Sequence, residues 1–374
     1  MTTTARPRVS LAPTRALLLG ALLVGCGTGN SGPRPKAPIP LVATTILDLS
    51  LGDDDSVFIA RLNHATRLPD GRIVALDGDA MTLVFLDSTG AFLERVGREG
   101  SGPGEFQFPS WVGRCHGDSL FVWDAQLKRM SVFAPSGHYA REFRVPLVQP
   151  FQFRCSPAGS IAAFDSPTTG GGPPVPGASY PVHRSRLVVF NAVGDSTGAV
   201  SDVPLGQERP LGSLAAMAFA DSLLLLGISS STLLTSHDLH GDQVAVESLA
   251  LVARAPTDAE YEAELDRMAH GMGGSVEMRA RIREMLAVAP KPDVLPLYRA
   301  LLVSDDATRW LTISLVVDSV TRVLGRSPEG DEYILALPAG IELFEGGSNF
   351  LLGKISDADG NERLVMYRIR LPGH

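Results

Sequence analysis

Few residues of this chain have types and spacings that could do chemistry. It has three cysteines: Cys26 at the end of an N-terminal apolar run, and Cys115 and Cys155 in its middle. Asn63, Glu342, Glu345 and Asn349 fall near the first strands of a repeat described below, and they could supply oxygen ligands to a hard cation. No spacing forces them together, and polar residues at such places commonly just solvate a channel. Asp357-Ala-Asp-Gly-Asn-Glu362 carries calcium-loop residue types but lacks the twelve-residue EF-hand pattern, so it reads as a hairpin turn. His237-Asp-Leu-His240 is too short to make a zinc site without further ligands. There is no Ser nucleophile elbow, and the Gly97–Gly104 stretch is followed by neither a Lys nor a helix, so it is not a phosphate loop. The residues therefore assign no catalytic group, no metal site and no cofactor.

Arg6, Arg8 and Arg15 stand before a short apolar run, Ala16 to Val24, with no acidic residue among the first 25. A basic n-region, a short apolar h-region and a small residue before the cut make a secretory signal, predicted over residues 1–25. The run falls well below the roughly 20 apolar residues that span a bilayer. Leu23-Val24-Gly25-Cys26 resembles the bacterial lipoprotein signature. The resemblance implies that the Cys26 thiol takes a diacylglyceryl group, that the peptide is cut before it, and that the new amine is acylated, with palmitate-type chains. Two or more such chains anchor firmly, at about 0.8 kcal/mol per buried CH₂. Gly27 stands where an Asp favours inner-membrane retention in Gram-negative lipoproteins, so the resemblance points to the outer membrane, facing the periplasm. Residues 26–40, rich in Gly, Pro and Ser, read as a solvated tether.

Loss of residues 1–25 removes three Arg and no acid, taking the formal charge from −8 to −11. A net acidic chain argues against nucleic acid, which is held by clustered Lys and Arg, and equally against a polybasic membrane-binding face. With 38 Gly, 27 Pro and only 20% charged residues, the chain has the profile of a turn-rich all-β globule.

The elements that must position any site come as a repeat. Its clearest copy reads Asn63 to Asp77, Thr82 to Gly90 and Ala91 to Gly97, with hairpin signals at Asp70-Gly71 and Ser88-Thr89-Gly90. A second copy runs from Trp111 to Val145, a third begins near Phe151 and a fourth near Leu214. About 40 residues built from four short strands make a propeller blade. The repeat resumes after Pro296 as a fifth blade, and three strands from Ile341 onward begin a sixth. Val42 to Leu49 is expected to supply that blade's missing strand and close the ring. The expectation is an all-β, six-bladed propeller over residues 41–374. The link Gly97-Arg-Glu-Gly-Ser-Gly-Pro-Gly-Glu-Phe106, followed by Pro109, resembles the inter-blade signature of NHL-repeat propellers. The chain as a whole is similar to six-bladed propeller lipoproteins of bacterial envelopes.

Two stretches break the repeat: Ser166 to Ser185 in blade three, and residues 257–292 between blades four and five. The second carries an N-cap signal, Thr257-Asp-Ala-Glu260, and two helical apolar patterns split by Gly271-Met-Gly-Gly274, so it predicts an inserted helical hairpin. Both insertions and the Gly-rich link should emerge on one face, which makes that mouth of the channel the expected binding site; the alternative is that the hairpin only caps the disc. Aligning the repeats on their first turns places Cys115 and Cys155 at the ends of neighbouring inner strands, on the opposite face. They either form a disulfide there or remain two buried thiols. The leading functional expectation is a non-catalytic, lipid-anchored propeller that binds a protein, peptide or glycan in the envelope. The rivals are a metal-dependent hydrolase, lactonase or lyase on the same scaffold, and a purely structural envelope component.

Overall fold

The computed structural model describes residues 37–51, 57–145, 147–166, 183–206, 209–272, 275–317, 320–357 and 360–372. Cys26 and the signal and tether ahead of residue 37 lie outside the described residues, as does most of the blade-three insertion.

Six sheets, each with four antiparallel strands and one with a short fifth strand added in parallel, form the blades. Blade one comprises Leu62–Arg67, Ile73–Asp77, Thr82–Leu86 and Phe92–Val96. Blade two runs from Pro109–Arg114 to Tyr139–Phe143, blade three from Pro150–Cys155 to Ser196–Gly206, and blade four from Ala215–Ala220 to Gln243–Ser248. Blade five runs from Tyr298–Val303 to Glu332–Pro338. Blade six is built from Ile341–Gly346, Phe350–Ser356 and Glu362–Arg368, and its fourth strand is Thr44–Ser50 from the other end of the sequence. Thr44 pairs with Arg368 and Ser50 with Arg363, so first and last segments share one sheet and neither leaves the ring open. The chain joins the propeller earlier than composition alone indicates. Ile39–Pro40 adds parallel to the outer strand of blade five, and Leu41 N donates to Ile334 O at 2.9 Å.

Each sheet is covered on both faces by its neighbours, which is why the second and third strands read as unbroken apolar runs. Ile73–Asp77 and Thr82–Leu86 are buried at every position. Blades one and two meet through Leu76, Phe85, Phe106, Val112 and Phe133; blades two and three meet through Trp111, Trp123, Phe153 and Phe190. Full burial of one such side chain contributes roughly 1.5–3 kcal/mol.

The Asp that ends the second strand has a positional reason. Asp77, Asp124 and Asp165 are 0% exposed. Asp124 accepts from Gln107 N at 2.7 Å, Gln126 N at 3.0 Å and Leu127 N at 2.8 Å, so one carboxylate ties the incoming link to the 2–3 turn. Asp77 does the same for Ala60, Arg61, Asp79 and Ala80, and Asp165 for Val148 and Gln149. In blade four the Ser229 hydroxyl takes over, accepting from Leu214 N at 2.7 Å. The Gly-rich link is likewise a packed strap. Gly97 has φ +91°, and a Cβ there would lie 2.7 Å from the Phe106 ring. Arg129 donates to Gly102 O at 2.6 Å and to Glu105 O at 2.9 Å across the strap.

Between blades four and five stand helices α1 (Asp258–Gly271) and α2 (Val276–Ala287). Thr257 and Glu260 form a full capping box at the start of α1, and the Ser275 side chain caps α2. Leu211, Tyr261, Leu265, Leu286 and Leu295 make a small core that seats the hairpin on the inter-blade links.

Candidate functional site

Inner strands carry the side chains nearest the propeller axis. They all run the same way, so their C-terminal ends and the 1–2 turns share one mouth, while the links and the α1–α2 insertion share the other. The insertion-side mouth is partly roofed. Glu264 of α1 is buried and pairs with Arg299 of the blade-five inner strand at 3.0 Å and with Arg267 at 2.6 Å. Burial pushes the Glu264 carboxyl up, but the bonds and charges of Arg267 and Arg299 outweigh it and leave it low.

The charged side chains instead converge on the 1–2-turn mouth. Arg67 and Arg114 end the inner strands of blades one and two, and Arg154 stands one residue before the end of the third. Arg114 pairs with Asp118 at 3.1 Å, and its Nη2 lies 3.9 Å from both Glu345 of blade six and Asp305 of the blade-five turn. Blades two and five are diametrically opposed in a ring of six, so this guanidinium reaches the axis. Glu345 accepts from Thr66 Oγ1 at 2.6 Å and from Arg67 N at 2.8 Å, and burial raises its pKa despite those bonds. The Arg67 guanidinium lies 4.8 Å from the Phe350 ring centroid.

Arg154, like Arg67, differs from Arg114 in its charge partners. Arg154 is the more isolated by burial. Among the described residues it has no carboxylate within ion-pair distance, and its Nη1 donates only to the adjacent Phe153 O, at 2.9 Å. Its Nε is shut off from solvent with no partner. Burial pulls its pKa down to about 10. Electrostatically coupled to it is His64, whose ring lies 4.7 Å from that of Phe344 and 6.1 Å from that of Trp111. Burial first, and the Arg154 charge second, hold the His64 pKa at about 3 against the opposing pull of the Val112 backbone. His64 Nδ1 is also buried without a partner. Two coupled, orphaned polar groups at one axial position call for an explanation.

The residues considered as metal ligands are dispersed. Asn63 Nδ2 donates to Pro109 O at 2.8 Å, Asn349 is exposed, and Glu342 is an exposed partner of Lys354 at 3.6 Å. Both His237 ring nitrogens are engaged, with Thr235 Oγ1 at 3.0 Å and Gly241 O at 3.1 Å. Among the described residues, no three His, Cys, Asp or Glu side chains gather as a metal ion would require. Residues 358–359 of the Asp357–Glu362 turn lie outside them.

Cys115 and Cys155 are joined by a disulfide, with Cα atoms 5.4 Å apart. Cys155 pairs with Ile161, the first residue of its second strand, whereas in blade two that place belongs to Arg114, opposite Leu120. Cys115 therefore stands one residue later in its repeat and opens the turn. Successive side chains alternate faces, and equivalent places on neighbouring blades look the same way round the ring. The one-residue offset is what turns the two thiols toward each other.

A second concavity lies between blades four and five, away from the axis. This groove is small and is walled by Leu249, Leu301, Leu311, Leu324 and Tyr333. At its rim Glu247 accepts from both Arg309 and Arg326. The neighbouring interface is filled with Ala216, Ala218 and leucines, where other blades use Phe and Trp.

No family model matches the chain. No curated protein matches it either. Solved structures do, at the level of fold. One is an exported protein of Bacteroides fragilis, at a TM-score of 0.54 and 12% identity over 88% of this chain and 96% of that one. Another is a DUF4221-family member from Bacteroides vulgatus, at a TM-score of 0.51 and 11% identity over 88% of this chain and 97% of that one. The class that fold and site define is a six-bladed β-propeller with an arginine-lined axial mouth.

Proposed function

We propose that this protein is a non-catalytic, lipid-anchored propeller of the bacterial envelope that binds a protein, peptide or glycan through an acidic group at the 1–2-turn mouth. The observation that carries the binding reading is Arg154, a guanidinium beside the axis with no carboxylate of its own. The ionisable groups around it are engaged within the protein: Glu345 with Thr66 and Arg67, and Arg114 with its carboxylates. The signal and lipobox ending at Cys26 support export and anchoring, and the Gly-rich strap supports an NHL-like relationship. The likeness in fold to an exported protein agrees with an extracytoplasmic setting.

Two photo-cross-linking positions in cells test this reading, one replacing Asp118 at the 1–2-turn mouth and one replacing exposed Met278 on α2. The expected result is a discrete adduct from position 118 only. Adducts from position 278 alone, or from neither, would overturn it. Anchoring has its own test. The Cys26→Ala chain should leave the membrane fraction, and its retention through salt washing would reject the lipobox.

A further inference from the structure

We infer that His64 and Arg154 together form a proton-linked receptor for one oxyanion, a carboxylate or a phosphate, which is the group by which the ligand is recognised. The inference rests on the proposed binding at the 1–2-turn mouth and names its chemistry. Arg154 spends Nη1 on the Phe153 carbonyl and leaves the Nε–Nη2 edge. That edge is the planar fork that donates to two oxygens of one oxyanion. His64 presents Nδ1 from the blade-one wall without a protein partner. The ring packs near Phe344 and Trp111, with centroids 4.7 Å and 6.1 Å away.

The groups acting on His64 come from three blades. Arg154 of blade three and Lys354 of blade six are cations, and the Val112 backbone of blade two opposes them. Glu342 of blade six acts on Arg154, and Glu345 is turned to Thr66 and Arg67. In the empty receptor, therefore, the nearest charges acting on the imidazole repel a proton. An oxyanion seated on the Arg154 edge reverses that field, so His64 takes up one proton as it binds and donates from Nδ1. Affinity then rises as pH falls.

Calorimetric titration of the full mature chain, solubilised in detergent, tests this with inorganic phosphate and with glucuronate as separate probes. One site per chain is expected for at least one probe, about tenfold tighter at pH 5.5 than at pH 7.5. Heats should depend on buffer ionisation, as uptake of one proton requires. Arg154→Lys keeps the charge but loses the fork, and Arg154→Gln loses both; each should weaken binding at least tenfold while the thermal transition persists. His64→Gln should retain binding at pH 7.5 and lose its pH dependence. Binding by phosphate alone or by glucuronate alone assigns the source of the oxyanion. No binding of either probe, unchanged affinity in Arg154→Gln, or an unchanged pH dependence in His64→Gln would each overturn the inference. A position-118 adduct that survives Arg154→Gln would reject this receptor yet leave the mouth as a binding site; loss of that adduct in the variant supports the receptor, and absence of any position-118 adduct in the parent would remove both.

Discussion

Holding His64 neutral should make the fold measurably sensitive to acid. The folded-state pKa of about 3 lies below the ordinary 6.5. Below pH 6.5 the unfolded chain binds a proton at this position that the folded chain refuses, so stability falls as pH drops, until pH passes 3. Between pH 7 and pH 5 the unfolded ring becomes almost fully protonated while the folded one stays neutral. With about 1.4 kcal/mol per pH unit over the roughly 1.5 units between 6.5 and 5, the loss is about 2 kcal/mol. His64→Phe removes the titrating group and keeps an aromatic ring against Phe344 and Trp111. Denaturant unfolding of both proteins at pH 7, 6 and 5, in buffers free of phosphate and carboxylate, gives the comparison. The parent should lose about 2 kcal/mol more than the variant over this range. Equal losses would refute the reasoning, and so would a parent that gains stability on acidification relative to the variant.

Three other outcomes follow from the packing. Asp124→Ala strips the partner from backbone N–H groups of Gln107, Gln126 and Leu127 and should cost about 3 kcal/mol or more in an unfolding titration; a cost below 1 kcal/mol would deny the carboxylate its tie. Thiol titration of the unfolded, unreduced Cys26→Ala chain should find no reactive thiol. Reduction should then lower stability by about 3–4 kcal/mol for the loop closed by Cys115 and Cys155, whereas two thiols before reduction would deny the bridge. Glu264→Gln weakens the pairing with Arg299 and Arg267, so limited proteolysis should cut within 257–292 sooner while the propeller remains intact; an unchanged cleavage rate would show the apolar seat suffices.

The blades were legible because a sheet covered on both faces leaves unbroken apolar strands and because its turns need Gly at fixed places. Ring closure was legible for a similar reason: three strands after Ile341 lacked a fourth, and Val42 to Leu49 had no other sheet to join. The hairpin announced itself through Thr257 and Glu260, whose side chains cap in both directions. The axial cluster was not read from the sequence. Arg67 and Arg114 occupy the same offset before the second strand in their repeats, a signal that was present in the spacing. Arg154 sits one place off it, and its meeting with His64 depends on which way two inner strands rotate their side chains toward the axis. Strand alternation in one blade does not fix that angle. The same one-residue ambiguity separates Cys115 from Cys155, where the turn alignment put both at strand ends. The Gly-rich link was expected to help furnish a mouth, but Arg129, several strands away in the blade, holds it down as part of the packing.

Arginine footprinting in the intact envelope tests most directly where this protein works. Phenylglyoxal modification, read by mass spectrometry, can be compared between cells and the purified chain. The account expects the slow modification of Arg114 and Arg154 in the purified chain to be slower still in cells, with exposed Arg281 on α2 modified alike in both. Equal modification of Arg154 in both settings, or protection confined to Arg281, would contradict it.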